Sequence, residues 1–277
     1  MSLRNAPLLY IFYETASLSH QRRLWERIVG LPVIENQFHP PHEYHGLVKY
    51  DAGQIILSLN LSKERRFQRD ASDGLITVLS VPSEEAVLDR LRHLGYAPTR
   101  KPGSLFTDVY GHHYIFCDGP ANAGRATGRT WPAVQELRLT VHDFTASLAF
   151  YGDILGLELL DRTEHAARFA TGTVDLLLQS SPTAPDGRPV RYHPYLLVFY
   201  TGNIFETRET LARRGLIFKG PRVGLTDIGY TTRFTDPSGH IYCLYQPSEE
   251  SLTWGSGPKV MEIARASTVR DSTPVKS

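Results

Sequence analysis

The chain repeats itself, and that constrains its fold more than any other feature. The stretch "ASLSHQRRLWERIVGLPVIE" from Ala16 and the stretch "HDFTASLAFYGDILGLELLD" from His142 align with Trp25 on Tyr151 and Gly30 on Gly156. Each reads as an amphipathic helix closed by a glycine and followed by a strand. A second pair, "LFTDVYGHHYIF" ending at Phe116 and "RFTDPSGHIYCL" ending at Leu244, reads as a hairpin closing each half. A third pair, "DGLITVLSVPSEEAVLDRLRHLGYAP" and "HPYLLVFYTGNIFETRETLARRGLIF", gives an apolar strand, a helix and then Gly95 or Gly215 at the helix end. Each half therefore holds two strand–helix–strands units, four in all.

The boundaries follow from composition. Residues 1–120 form an N-terminal domain, and 133–250 a C-terminal one of the same kind. The stretch "CDGPANAGRATGRTWP", rich in Gly, Ala and Pro without periodicity, places a linker over 121–132. Residues 251–277 read as a polar, frayed tail. At 277 residues each half is large enough for a core of its own.

With 30 Lys plus Arg against 29 Asp plus Glu there is no surplus positive charge, which argues against nucleic acid and for a small organic partner. No apolar run is long enough to span a bilayer, and the N-terminal segment is too polar for a signal peptide. Two cysteines, Cys117 and Cys243, in a chain of this size fit a reducing, cytoplasmic compartment.

The motifs "SLAFYGDILGLELL" and "FTDPSGHIYCLY", set in this repeat, resemble those of the vicinal oxygen chelate superfamily of glyoxalases, bleomycin-resistance proteins and extradiol dioxygenases. The resemblance covers roughly residues 8 to 248. It implies an α+β fold of four βαβββ modules paired into two curled mixed-sheet domains, most like the two-domain type I extradiol dioxygenases. In those enzymes the C-terminal half forms a cup holding iron through two His and one Glu.

At the corresponding positions this chain has Glu136 for the first His, His193 for the second and Cys243 for the Glu. The family's tyrosine before the Asp-Pro turn falls on Arg233. The equivalent points of the N-terminal half are Tyr10, Asp73 and Ile115. Three readings follow. In one, Glu136, His193 and Cys243 hold a divalent metal, zinc or iron, which acts as a Lewis acid or, with altered ligands, as an extradiol-type oxygenase centre. In the second there is no metal: His193 is a general acid or base oriented by Glu136, Cys243 is a nucleophile or a pocket residue, and Arg233 offsets oxyanion charge. That suits an isomerase, lyase or cyclase acting on an oxygenated aromatic small molecule. In the third the cup binds or sequesters a ligand between Tyr195, Phe199, Tyr230 and Tyr245. A monomer with both halves, or a homodimer, suits all three.

Other tempting residues have plainer readings. His112 and His113 point to opposite faces of a strand and read as a surface pair beside a turn. His39, His42 and His45 lie in a Pro-containing loop. Cys117 is a small inert residue, His142 sits at a helix cap, and Asp236 is a turn residue.

Overall fold

The computed structural model describes residues 3–37, 46–62, 74–98, 103–119, 132–181 and 195–270. Module 1 comprises β1 (Leu8–Thr15), helix α1 (Leu18–Arg22) that continues in wider π turns over Arg23–Val29, then β2 (Val33–Asn36), β3 (Leu47–Asp51) and β4 (Ile56–Leu61). Module 2 comprises β5 (Leu75–Val81), α2 (Glu84–His93), β6 (Leu105–Thr107) and β7 (His113–Asp118). Module 3 comprises β8 (Ala133–Val141), α3 (Phe144–Ala149) with π turns over Phe150–Ile154, β9 (Glu158–Arg162), β10 (Ala166–Ala170) and β11 (Asp175–Ser180). Module 4 comprises β12 (Tyr195–Tyr200), α4 (Ile204–Arg213), β13 (Gly224–Thr226), β14 (Gly229–Thr235) and β15 (Ile241–Pro247), and helix α5 (Gly257–Arg270) follows.

The duplication is visible in local chemistry. Each module helix is opened by a short polar side chain, Ser17, Ser83, Asp143 or Asn203, that accepts a backbone N–H three residues on. Such a cap satisfies a helix donor that has no partner within the helix. The closing hairpins match as well. Gly111 and Gly239 adopt positive φ where the chain turns, which a residue without a Cβ does freely. Asp108 and Asp236 then accept the backbone N–H of His112 and His240.

The modules do not pair within halves. One sheet of eight strands runs β13-β14-β15-β12-β1-β4-β3-β2, and one of seven runs β6-β7-β5-β8-β11-β10-β9. The eight-stranded sheet therefore joins module 1 to module 4 through an antiparallel β1–β12 seam, and the seven-stranded sheet joins module 2 to module 3 through β5–β8. Two mixed sheets of four βαβββ modules are present as the sequence indicated, but each takes one module from each half. The repeat specifies what a module is; its strand edges are alike, so the pattern does not specify which module it meets.

One large apolar core unites the inner faces of both sheets with the helices: Ile11, Tyr13 and Leu57 from one sheet, Leu79, Leu137 and Leu139 from the other, and Trp25 and Tyr151 from the helices. Two buried histidines stitch the sheets together. His112 Nε2 lies 2.9 Å from the carbonyl of Glu14, and His240 Nε2 lies 2.9 Å from the carbonyl of Thr140. His112 is thus not half of a surface pair. It is 1% exposed, because the turn aims its ring across the junction, while His113 on the opposite face is half-buried.

Residues 251–277, read as a polar tail, are not all tail. After a 3-10 turn (Ser251–Thr253), α5 buries Lys259, Val260, Ile263 and Ala264, which recur at helical spacing on one side. Composition averaged over the segment hides that stripe. Pro258, at the second position of the helix where a missing N–H is harmless, was its start signal.

Candidate functional site

Paired residues on neighbouring strands share a face, so the register defines what each sheet presents away from the core. On the eight-stranded sheet the outer face carries Tyr10, Glu35, Lys49, Asp51, Ile56, Ser58, Val198, Cys243 and Arg233 in mutual register. On the seven-stranded sheet it carries Ile76, Val78, Ile115, Glu136, Arg138, Asp175, Leu177 and Arg168. Glu136 and Cys243 therefore belong to different sheets. The C-terminal half does not close a cup of its own that holds them both. His193 and Asp73, like His39, His42 and His45 and residues 121–131 of the linker, lie outside the described residues.

The outer face of the eight-stranded sheet is covered by α5. Val260 and Ile263 pack with Leu9, Tyr10, Ile56, Val198, Cys243 and Tyr245 into an apolar cluster separate from the main core. Beside it the helix is held by polar contacts. Lys49 Nζ sits 3.0 and 3.1 Å from the two oxygens of Glu35 and 2.9 Å from Ser256 Oγ. The Ser256 N–H donates to Glu35 at 2.8 Å, and Lys259 Nζ lies 3.2 Å from Asp51. Burial works against the charge of Glu35, but the donors from Ser256 and Lys49 outweigh it and hold its carboxyl below the usual range. Burial lowers Lys49 despite the same partner.

The question posed by Cys243 has a packing answer. Its side chain is 4% exposed, and burial pushes the thiol up to about 11, with the charge of Arg233 only partly opposing. A thiol raised in this way among aliphatic side chains is held in its protonated form, which is not the nucleophilic one.

The four aromatic residues expected as pocket walls divide. Along β12 the alternation sends Tyr195, Leu197 and Phe199 inward and Leu196, Val198 and Tyr200 outward. Tyr195 gives its hydroxyl to His240 Nδ1 at 2.6 Å, and Phe199 stacks on Tyr242 in the core. Both are core residues, placed by a strand phase that an apolar run cannot reveal. Tyr230 packs against Phe205 and the edge of the main core. Tyr245 alone of the four shares the face of Cys243, and its hydroxyl donates to the Ile228 carbonyl at 3.0 Å. Arg233 is on that face and exposed.

The outer face of the seven-stranded sheet is different. Most of its side chains are half-buried: Ile76, Ile115, Arg138, Thr140, Arg168, Asp175, Leu177 and Gln179. At the centre Glu136 is held by two arginines. Arg138 Nε donates to one oxygen at 2.6 Å, Arg168 donates to the other, and Arg168 also lies 3.3 Å from Asp175. The Glu136 side chain is 9% exposed, against 32% for Arg138 and 35% for Arg168, so the carboxylate is buried beneath guanidinium groups that reach solvent. Arg138, Arg168, Asp175 and Leu177 were not foreseen from sequence. The signal was available in "QELRLT", where Glu136, Arg138 and Thr140 alternate with Leu137 and Leu139.

The described donors do not fit a metal of the kind the resemblance implies. Such an ion needs converging unencumbered donors. Both oxygens of Glu136 are engaged by arginine, Ile115 at a ligand position across Val78 carries no donor, and Cys243 is buried in an apolar cluster. Among the described residues no three His, Cys, Asp or Glu side chains converge.

Comparison with known proteins agrees with the geometry of the modules. Residues 133–244 match the Glyoxalase/Bleomycin resistance protein/Dioxygenase superfamily. Glyoxalase I from Zea mays superposes with a TM-score of 0.67 at 15% identity, covering 94% of this chain and 96% of that one. A putative dioxygenase from Bacillus subtilis superposes with a TM-score of 0.62 at 12% identity, covering 94% and 96%. The chain thus has the vicinal oxygen chelate fold, and its residues 133–244 match the superfamily. No curated protein matches it in sequence. Among the described residues no helix is long and apolar enough to cross a membrane.

Proposed function

We propose that this protein binds a small, oxygen-bearing aromatic molecule on the outer face of the seven-stranded sheet, without a metal. The observation that carries this is the Glu136–Arg138–Arg168 cluster, a charged centre ringed by Ile76, Val78, Ile115 and Leu177 on a face that no described element covers. Apolar walls around a few fixed polar groups are what small-molecule sites consist of. Glu136 fixes the two guanidiniums, whose remaining donors suit ligand oxygens. The flat aliphatic surround suits a ring.

A second reading, acid–base catalysis on the same ligand, is favoured by His113. It lies on this face two residues from Ile115, and its Nδ1 is 2.7 Å from Thr107 Oγ1, which orients the ring. Loss of turnover with retained binding in His113→Ala would select it over plain binding.

Titration calorimetry with salicylate and catechol as probes tests the site. Leu177→Asp should weaken binding at least ~10-fold, corresponding to about 1.4 kcal/mol, whereas Cys243→Ala should leave it unchanged. The opposite pattern would place the ligand on the other sheet and overturn the reading.

A further inference from the structure

We propose that Gln135 is a specificity-determining residue of the site on the seven-stranded sheet, selecting elongated aromatic ligands that carry a neutral oxygen at the end remote from the arginines. This rests on the ligand site proposed for that face and deepens it. It comes from a β-bulge. The register between β5 and β8 pairs Val78 with Glu136 and then Leu79 with Val134, which leaves Gln135 as an extra residue. Val134 and Leu137 both lie in the main core, although residues three apart in a regular strand face opposite ways. The bulge reconciles them by turning two consecutive side chains, Gln135 and Glu136, away from the core. Glu136 is buried beneath the arginines, and Gln135 is exposed beside it.

Cys117, on the outward side of β7 between the core residues' directions set by Tyr114 and Phe116, orients the amide. Its Sγ lies 3.6 Å from Gln135 Oε1 and 3.5 Å from the Leu79 carbonyl. With that oxygen engaged, the Nε2 donors of Gln135 are left for a ligand. Arg138, three residues along the same strand, donates to Glu136 through Nε, which leaves its Nη groups. The two sets of donors are set roughly 10 Å apart along β8, and Val78 and Ile115 lie beside the stretch between them. The charges differ at the two ends. Arg138 and Arg168 stand against Glu136, Asp175 and, opposite Arg168 on β9, Asp161, so that end offers donors rather than a net positive field. At the other end burial, Glu84, Asp118 and Glu136 raise the Cys117 thiol against the opposing effect of Arg138. Carboxylates near Gln135 repel a second anion and tolerate a hydroxyl or carbonyl oxygen.

The test is titration calorimetry of the full chain with three acids that differ only at the far end: biphenyl-4-carboxylate, 4′-hydroxybiphenyl-4-carboxylate and biphenyl-4,4′-dicarboxylate. The hydroxy acid should bind about 5-fold more tightly than the parent, the increment of one neutral hydrogen bond, and the dicarboxylate no more tightly than the parent. Gln135→Leu should bring the hydroxy-to-parent ratio to about one. In NMR spectra of the unsubstituted chain, the Gln135 side-chain amide resonances should shift with the hydroxy acid and not with the parent, a readout that does not depend on the variant folding. A ratio that survives Gln135→Leu, amide resonances that stay still, or a dicarboxylate that binds most tightly overturns this inference alone. A parent acid that does not bind, or that binds equally well to Leu177→Asp, overturns the ligand site itself and this inference with it.

Discussion

The two sheets are built from the same module, yet their outer faces have opposite fates. On the eight-stranded sheet much of the face is filled: Val260 and Ile263 of α5 join Tyr10, Ile56, Val198 and Cys243 in one buried apolar cluster. On the seven-stranded sheet the corresponding face keeps Arg138, Arg168 and Leu177 half in solvent. Duplication supplied two equivalent surfaces, and what lies after the last module closed one. A residue at a family ligand position is therefore not a functional residue by virtue of position. Cys243, on the last strand of module 4, packs, while Glu136, on the first strand of module 3, organises charge.

The largest expected difference between the faces is in tolerance to a buried charge. Ile263→Asp should lower unfolding stability by about 3–5 kcal/mol, because an aspartate in that cluster has no partner. Leu177→Asp, on the half-exposed face, should cost about 1 kcal/mol. Urea unfolding monitored by far-UV circular dichroism would measure both; equal costs would mean that the faces do not differ as described.

Next come the two carboxylates. Glu35→Gln leaves Lys49 buried beside a neutral amide and should cost about 3 kcal/mol. Glu136→Gln leaves guanidinium groups that already reach water, and should cost roughly half as much. The same unfolding experiment ranks them, and the reverse order would contradict the burial assigned to each.

Thiol chemistry gives a smaller contrast. Burial raises both thiols, Cys117 and Cys243, but Cys117 is half-buried while Cys243 is buried in the cluster that includes Val260 and Ile263. Iodoacetamide at pH 8 should alkylate Cys117 at least ~10-fold faster, as read by peptide mass spectrometry. In Val260→Asp/Ile263→Asp that ratio should shrink.

The smallest effect is on acidity. Glu35 is held below its ordinary value of 4.5, so the folded state binds its proton less readily than the unfolded chain does. Its contribution is complete above that value and is lost as pH falls through the lower folded one. Hydrogen exchange over 257–270 should accordingly show α5 protected at pH 6 and loosened by less than about 1 kcal/mol near pH 3.5. Protection unchanged in acid would mean that the Ser256–Glu35–Lys49 contact contributes little to docking.

Much of the fold was legible because its signals are local. The caps at Ser17, Ser83, Asp143 and Asn203 and the turns at Gly111 and Gly239 sit within a few residues of what they shape. The partner of each module was not legible. A β1–β12 seam and a β1–β5 seam require the same alternation, and the choice between them is a long-range packing outcome. That choice separated Glu136 from Cys243. The strand phase of "YLLVFY" was ambiguous for a related reason. A run apolar on both faces carries no alternation to read, and so Tyr195 and Phe199 fell to the core. In α5 the stripe of Val260, Ile263 and Ala264 was present in the sequence but outweighed by its polar neighbours.

The central claim is that one outer face is open to a ligand while the other is closed by the chain itself. It is tested most directly by mapping backbone and methyl NMR shifts of the unsubstituted protein during titration with salicylate. The account predicts saturable changes confined to Ile76, Val78, Ile115, Arg138 and Leu177, with Tyr10, Val198, Tyr245 and Val260 unmoved. Changes centred on the latter set would contradict it.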